Sequence, residues 1–238
     1  MPSPTTAVIL CGGRGVRAWP ATEELPKPLL PVGDAPVLGH LLAGYARQGV
    51  HRFVLATGYL GDRIAAWAAT LDPAWSVTCH DTGEDAGTGE RLLRCADLVD
   101  GPFHATYGDG LGNVDLAALW ATHERGRQRG ALATVTTVPL PSPYGTLELT
   151  DDDAVTGFSE KPVLEDRWIN AGFFVIDPEA FAGWAGPDLE RDVLPDLARR
   201  GRLQAHRHRG FWKSMDTAKD IAEAAALAEQ DPAPWVVR

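Results

Sequence analysis

Two sets of residues have the types and spacing to handle a phosphoanhydride. The first is Leu10-Cys11-Gly12-Gly13-Arg14-Gly15-Val16-Arg17, which follows the apolar run Ala7-Val8-Ile9 and precedes Leu25-Pro26-Lys27-Pro28. Glycines let consecutive backbone N–H groups approach phosphate oxygens with no side chain in the way. Arg14 and Arg17 add permanently charged, fork-shaped donors, and Lys27, stiffened by a proline on each side, adds a point charge held in one place. A tight strand-to-helix turn with two surface arginines suits the same pattern. The second set is acidic. Asp109 stands between glycines in Tyr107-Gly108-Asp109-Gly110, where its carboxylate can hold Mg²⁺ against phosphate oxygens or simply make a turn. Asp216, in Gly210-Phe211-Trp212-Lys213-Ser214-Met215-Asp216-Thr217, is placed either as a second metal carboxylate or as the N-cap of the last helix.

Three further stretches offer contacts. Ser159-Glu160-Lys161-Pro162 ends a strand, so Lys161 can meet a second phosphate and Glu160 a sugar hydroxyl; a solvated ion pair is the other reading. Asn170, in Trp168-Ile169-Asn170-Ala171-Gly172-Phe173-Phe174, is a buried backbone hydrogen-bonder or a substrate contact. The run from His80 to Leu92, with three glycines and two threonines, makes a loop able to read a base edge or a plain surface connection. His206 and His208 alternate on one strand without a carboxylate or third imidazole at metal spacing, which places them at the surface.

Elements that could position these groups follow from the periodicity. Strands are expected over 6–11, 52–57, 75–79, 103–107 and 131–138. Helices are expected over 35–48, 61–69, 88–95 (capped by Thr88) and 115–128 (capped by Asp115). Such alternation predicts right-handed βαβ units and a doubly wound, mostly parallel sheet, with ligands beyond the carboxyl ends of its strands. The rhythm then changes. A hairpin over 145–149 and 154–159 turns at Asp151-Asp152-Asp153, and a long apolar strand follows at 168–176. A helix at 190–200, a strand at 203–207 and a final helix at 217–229 complete the chain. The expected fold class is therefore α/β with a small added β-rich lobe. It is read as a single domain over 1–238, with a nucleotide-binding part at about 1–140 and a sugar-phosphate part at about 141–238.

Composition narrows the class. The 238 residues are 45% hydrophobic and 23% charged, enough apolar matter for a sizeable core. A net charge of −10 argues against a nucleic-acid partner, which needs a basic face. Cys11, Cys79 and Cys95 lie in or beside apolar runs with no CxxC spacing, so free buried thiols are expected. No leader-like segment and no apolar run of membrane-spanning length is present, so a soluble, cytoplasmic chain without a membrane partner is expected.

Taken together, these segments resemble the sugar-phosphate nucleotidyltransferases. That family pairs a glycine-rich loop and a PKP lysine with a GDG-type metal aspartate, an EKP lysine and a late metal aspartate. Within it the likeness is greatest to the glucose-1-phosphate cytidylyltransferases, through the stretches 81–92, 106–110, 168–175, 210–217 and 233–237. The resemblance implies a Rossmann-like fold, Mg²⁺ as cofactor, CTP and a sugar-1-phosphate as substrates, and a homo-oligomer. It implies that Leu10, Gly12, Gly13, Arg14, Gly15 and Lys27 hold the triphosphate, with Thr82, Gly83 and Gly87 near the base. Asp109 and Asp216 would hold the metal. Tyr107, Gly145, Glu160, Lys161, Asn170 and Trp212 would surround the sugar phosphate, and Arg17, Lys27, Asp109, Lys161 and Asp216 would carry the reaction. Another nucleoside triphosphate, a cyclitol phosphate or phosphonate acceptor, or an inactive sugar-nucleotide sensor are the alternatives. Two departures stand out: Val16 and Ala18 replace the family's threonine and leucine, and the segment 69–75 is short.

Overall fold

The computed structural model describes residues 3–237. In chain order the strands are β1 (Thr6–Leu10), β2 (Pro31–Val32), β3 (Ala35–Pro36), β4 (Arg52–Thr57), β5 (Ser76–Asp81), β6 (Phe103–Tyr107) and β7 (Gly110–Gly112). They continue as β8 (Ala133–Pro141), β9 (Thr146–Leu149), β10 (Val155–Ser159), β11 (Val163–Ile176), β12 (Leu203–Arg207) and β13 (Trp212–Ser214). The helices are α1 (Val37–Ala46), α2 (Gly61–Ala68), α3 (Thr88–Arg94), α4 (Leu116–Arg127), α5 (Leu194–Arg199) and α6 (Ala218–Ala228).

Seven strands form the central sheet in the order β12-β8-β11-β6-β1-β4-β5. Only β11 runs against its neighbours, pairing antiparallel with both β6 and β8. β1 is central because both of its faces are apolar. Ala7 and Ile9 pack into one core with α1, Leu119 and Ala224, while Val8 and Leu10 pack into a second core with Leu92 of α3 and Leu197 of α5. Such two-sided burial is what an interior strand of a doubly wound sheet requires.

Several local expectations change. α3 is capped by Gly87 rather than Thr88, whose hydroxyl serves another contact. The segment expected as one helix from 190 begins as a π-helical turn over Leu189–Val193, with the Asp188 side chain accepting from two of its amides. The final helix is capped by Thr217, which forms a capping box with Asp220, so Asp216 is released from that duty. His208 is buried and hydrogen-bonds the Phe211 carbonyl at 3.2 Å, and His206 is half-buried against Thr122, so neither is a surface residue. Cys11 and Cys95 are buried free thiols and Cys79 is half-buried.

The hairpin β9–β10 forms its own two-stranded sheet. Its register pairs Leu149 with Val155 and Leu147 with Phe158, which places four apolar side chains on one face. All four are more than half exposed. No helix among the described residues is long and apolar enough to cross a membrane.

Candidate active site

The carboxyl ends of β1 and β6 open into a cleft of about 690 Å³. Leu10, Gly12, Gly13, Gly15 and Arg17 of the first loop line it together with Lys27. Gly87, Tyr107 and Asp109 come from the middle of the chain, and Asn170, Trp212 and Asp216 from its second half.

Asp109 and Asp216 meet because β7 and β13 pair. Gly110 lies opposite Ser214, and the Met215 N–H donates to the Asp109 carbonyl at 2.8 Å. The short ladder begins one residue after Asp109 and ends two residues before Asp216. Lys27 enters from a 3₁₀ turn, only 7% exposed, and its Nζ donates to Asp109 Oδ2 at 2.6 Å and Asp216 Oδ1 at 2.7 Å. Arg17 reaches the same Asp216 oxygen at 2.9 Å. Burial alone pushes the Lys27 ammonium down, but the two carboxylates reverse this and hold it above its ordinary value. Burial likewise favours protonation of Asp216, yet Lys27, Arg17 and Ser214 together hold its carboxyl below the usual range. The site is thus a charged triad of one cation shared by two anions, with a second cation at its rim.

Arg91 plays a part that sequence reasoning missed. Its guanidinium, in a residue 3% exposed, donates to the carbonyls of Gly12, Thr57, Gly83 and Glu84 and to the Thr82 hydroxyl, at 2.6–3.0 Å. It ties the glycine loop to the end of β4 and to the loop after β5. A Cβ at Gly12 would lie 2.1 Å from Arg91 Nη1, so this glycine leaves room for the arginine. At Gly13 a Cβ would meet nothing within 4 Å, and it faces the open cleft. The signal available in the sequence was an arginine set among apolar residues of a short helix.

Six expected site residues lie elsewhere. Thr82 is fully buried behind the cleft wall, its hydroxyl donating to the Thr57 carbonyl at 2.6 Å. Gly83, at φ +78, closes an Asx turn on Asp81. Arg14 leans over the Tyr59 ring and pairs with Glu84 at 2.7 Å, fastening the two loops from outside. Gly145, Glu160 and Lys161 belong to the separate hairpin lobe and do not line the cleft. Gly145 lies under the Phe158 ring, where a Cβ would come within 2.6 Å. Lys161 is in the left-handed region, at φ +46, and meets Glu160 at 3.5 Å with both side chains 63% exposed.

The far wall is built by a bulge in β11. The register shifts between Asn170 and Phe174, and Gly172, at φ +78, lies against the Tyr107 ring. The Asn170 Oδ1 accepts from the Gly172 N–H at 2.8 Å, so its Nδ2 must point to the Tyr107 hydroxyl, 3.1 Å away. Trp212 donates from Nε1 to the Ala171 carbonyl at 2.7 Å and fixes the bulge from below. Asn170 thus bonds backbone, as one of the two readings expects, and does so from the cleft wall.

A mixed α/β sheet with a glycine-rich loop, a shared lysine and two converging aspartates defines a nucleotide-handling transferase. Over residues 6–231 the chain matches the nucleotidyl transferase family model, and it belongs to that family. It is 37% identical to a Bacillus subtilis (strain 168) protein named a probable glucose-1-phosphate cytidylyltransferase, over 97% of this chain and 99% of that one. It is 34% identical to the glucose-1-phosphate cytidylyltransferase of Salmonella typhimurium, over 96% and 98%. The solved structure of HddC from Yersinia pseudotuberculosis with GMP-PN shares the fold, with a TM-score of 0.70 at 22% identity over 93% of this chain and 98% of that one.

Proposed function

We propose that this protein transfers CMP from CTP to a sugar-1-phosphate, glucose-1-phosphate foremost, giving a CDP-sugar and pyrophosphate. The observation that carries the reading is the convergence of Asp109 and Asp216 on Lys27 at the mouth of the glycine loop. The names of the two cytidylyltransferase relatives support the choice of base and acceptor.

A phosphate oxygen of the sugar-1-phosphate attacks the α-phosphorus of CTP, the bond to the β-phosphate oxygen breaks, and pyrophosphate leaves with that electron pair. The attacking oxygen is already anionic, so no side chain has to remove a proton. What remains is positioning and charge neutralisation. Lys27 and Arg17 bring positive charge to the phosphates, and Arg91 holds the glycine loop in register with the loop after β5. Two carboxylates on one cleft wall fit Mg²⁺, which favours one or two carboxylates plus phosphate oxygens and water. Asp109 and Asp216 would hold it, and it would supply further neutralising charge. Lys161 is the lobe's candidate for the acceptor phosphate. A cytoplasmic location would suit a reaction that consumes CTP, and the exposed apolar face of the hairpin suits a homo-oligomer.

The test is pyrophosphate release across the common nucleoside triphosphates, each paired with a panel of sugar-1-phosphates, with and without Mg²⁺. Release is expected with CTP and glucose-1-phosphate, and Asp109→Asn and Asp216→Asn should each lower it by orders of magnitude. CTP binding without release from any pair would replace this reading with that of a sensor.

A further inference from the structure

We infer that Lys27 is the resident cation of the acid pair: its ammonium keeps a divalent metal off Asp109 and Asp216 until the phosphates of a nucleotide draw it away. The inference rests on the transferase reading above, and it makes metal binding conditional on the nucleotide.

Side chains already neutralise both anions. Lys27 Nζ donates to Asp109 Oδ2 at 2.6 Å and to Asp216 Oδ1 at 2.7 Å. Arg17 Nη2 meets the same Asp216 oxygen at 2.9 Å, and the Ser214 hydroxyl donates to Asp216 Oδ2 at 3.1 Å. Asp216 thus has both oxygens engaged, and two carboxylates face two cations with no net formal charge among them. A divalent ion approaching the intact cluster would meet two positive charges, and oxygens that already accept charge-assisted hydrogen bonds. It gains from these carboxylates only if a cation gives them up.

The lysine is fixed at its root and free at its tip. Its backbone belongs to the 3₁₀ turn Lys27–Leu29, flanked and stiffened by Pro26 and Pro28. Its stem lies against the glycine loop, where a Cβ at Gly15 would come within 3.0 Å of Lys27 Cβ and 3.5 Å of its Cδ. The ammonium ends a flexible four-carbon stem and is the part able to move. It has three N–H donors, and the two aspartates use two of them. The third can take a phosphate oxygen before either carboxylate is released. Gly13, Gly15, Arg17 and Lys27 line the same cleft, so phosphates seated on the loop compete for both cations together. Each cation that turns to the phosphates uncovers a carboxylate oxygen suited to a hard divalent ion. Such coupling is reciprocal: whatever factor the nucleotide adds to metal affinity, the metal adds to nucleotide affinity.

The experiment measures Mn²⁺ binding without nucleotide by electron paramagnetic resonance, which counts the free hydrated ion and needs no turnover. It compares the full-length wild type with Lys27→Met, Lys27→Gln and the double variant Lys27→Met/Asp216→Asn. Each single variant should take up one ion per chain, at least about tenfold more tightly than the wild type, the worth of one hydrogen bond between charged groups. The double variant should lose that ion. A second reading uses the wild type alone, labelled with ¹⁵N-lysine, and stands even if the variants fail to fold. There the Lys27 ammonium signal should be unmoved by Mg²⁺ alone and displaced by CTP with Mg²⁺. Equal Mn²⁺ affinity in wild type and single variants overturns the inference, as does uptake that survives Asp216→Asn. So does a Lys27 signal that Mg²⁺ alone displaces, or one that bound CTP and Mg²⁺ leave in place. If calorimetry shows no binding of CTP, the transferase reading has failed instead, and the Mn²⁺ comparison still decides whether Lys27 keeps the metal out.

Discussion

Replacing Lys27 with methionine removes the only cation among the described residues that touches both Asp109 and Asp216, while keeping most of its stem. The oxygens it bridges at 2.6 and 2.7 Å can be no more than about 5.3 Å apart. Both aspartate side chains are less than a third exposed, 29% and 26%, so their repulsion is only partly screened. At an effective dielectric between surface and bulk values, two like charges at that distance repel by about 1–3 kcal/mol. Lys27→Met should therefore lose about 2 kcal/mol at neutral pH, or roughly 4–8 °C in melting temperature for a chain of this size. The deficit has a definite pH dependence. In the wild type the depressed Asp216 carboxyl contributes stability that is present above the ordinary carboxylate value and lost as pH falls through its folded value. The gap between the two proteins is thus widest near neutrality and closes on acidification, as one carboxylate of the variant takes up a proton. Mg²⁺ should stabilise the variant more than the wild type, because it replaces a charge that is missing only there. Thermal melts from pH 4 to 8, with and without Mg²⁺, measure all of this, with Lys27→Met/Asp216→Asn as the relieved double variant. Equal melting of Lys27→Met and wild type at pH 7.5, with no extra metal response, would refute the account of a lysine-bridged acid pair.

Arg91→Lys keeps the charge but cannot span five acceptors, so the glycine loop and the loop after β5 should loosen. We expect a stability loss of about 2–4 kcal/mol and a raised KM for CTP, read by melts and steady-state kinetics. Lys161→Ala should leave the melting temperature unchanged, given its exposure, and raise the KM for the acceptor but not for CTP. A null kinetic result would remove the hairpin lobe from acceptor binding. His104 is fully buried beside Tyr45, and burial lowers its imidazole from 6.5 to about 4. The unfolded chain therefore binds this proton between those values and the folded one does not. Stability should fall by about 3 kcal/mol as pH drops from 6.5 to 4, and that slope should be absent in His104→Phe.

Chemistry local to the chain was legible in the sequence. The two-sided apolar run of β1 announces a central strand, because its neighbours on either side are decided by its own residues. Glycines, a lysine between prolines and an aspartate between glycines are also set by local residue types, and the cleft brings Gly13, Lys27 and Asp109 together. That β11 runs antiparallel within the seven-stranded sheet was not legible, since reversal depends on which neighbours accept a long apolar segment and not on the segment alone.

Whatever depends on contacts between distant segments was decided only by the tertiary structure. Asp216 and the N-cap are one residue apart, and the capping box of Thr217 with Asp220, not the identity of Asp216, frees that carboxylate for Lys27. Arg91 and Glu190 look like ordinary helix charges in the sequence. Each is held at the cleft because partners more than 75 residues away along the chain supply the acceptor or donor, the Gly12 carbonyl for one and the Tyr107 hydroxyl for the other. The fold turns Thr82 into the core and carries Gly145 and Lys161 on a separate hairpin, so residue type alone did not reveal that all three stand outside the cleft wall. Residue type determines what a side chain can do. Which other side chains it meets is set by the pairing of β7 with β13, the bulge in β11 and the π-helical turn, and none of these has a local signature.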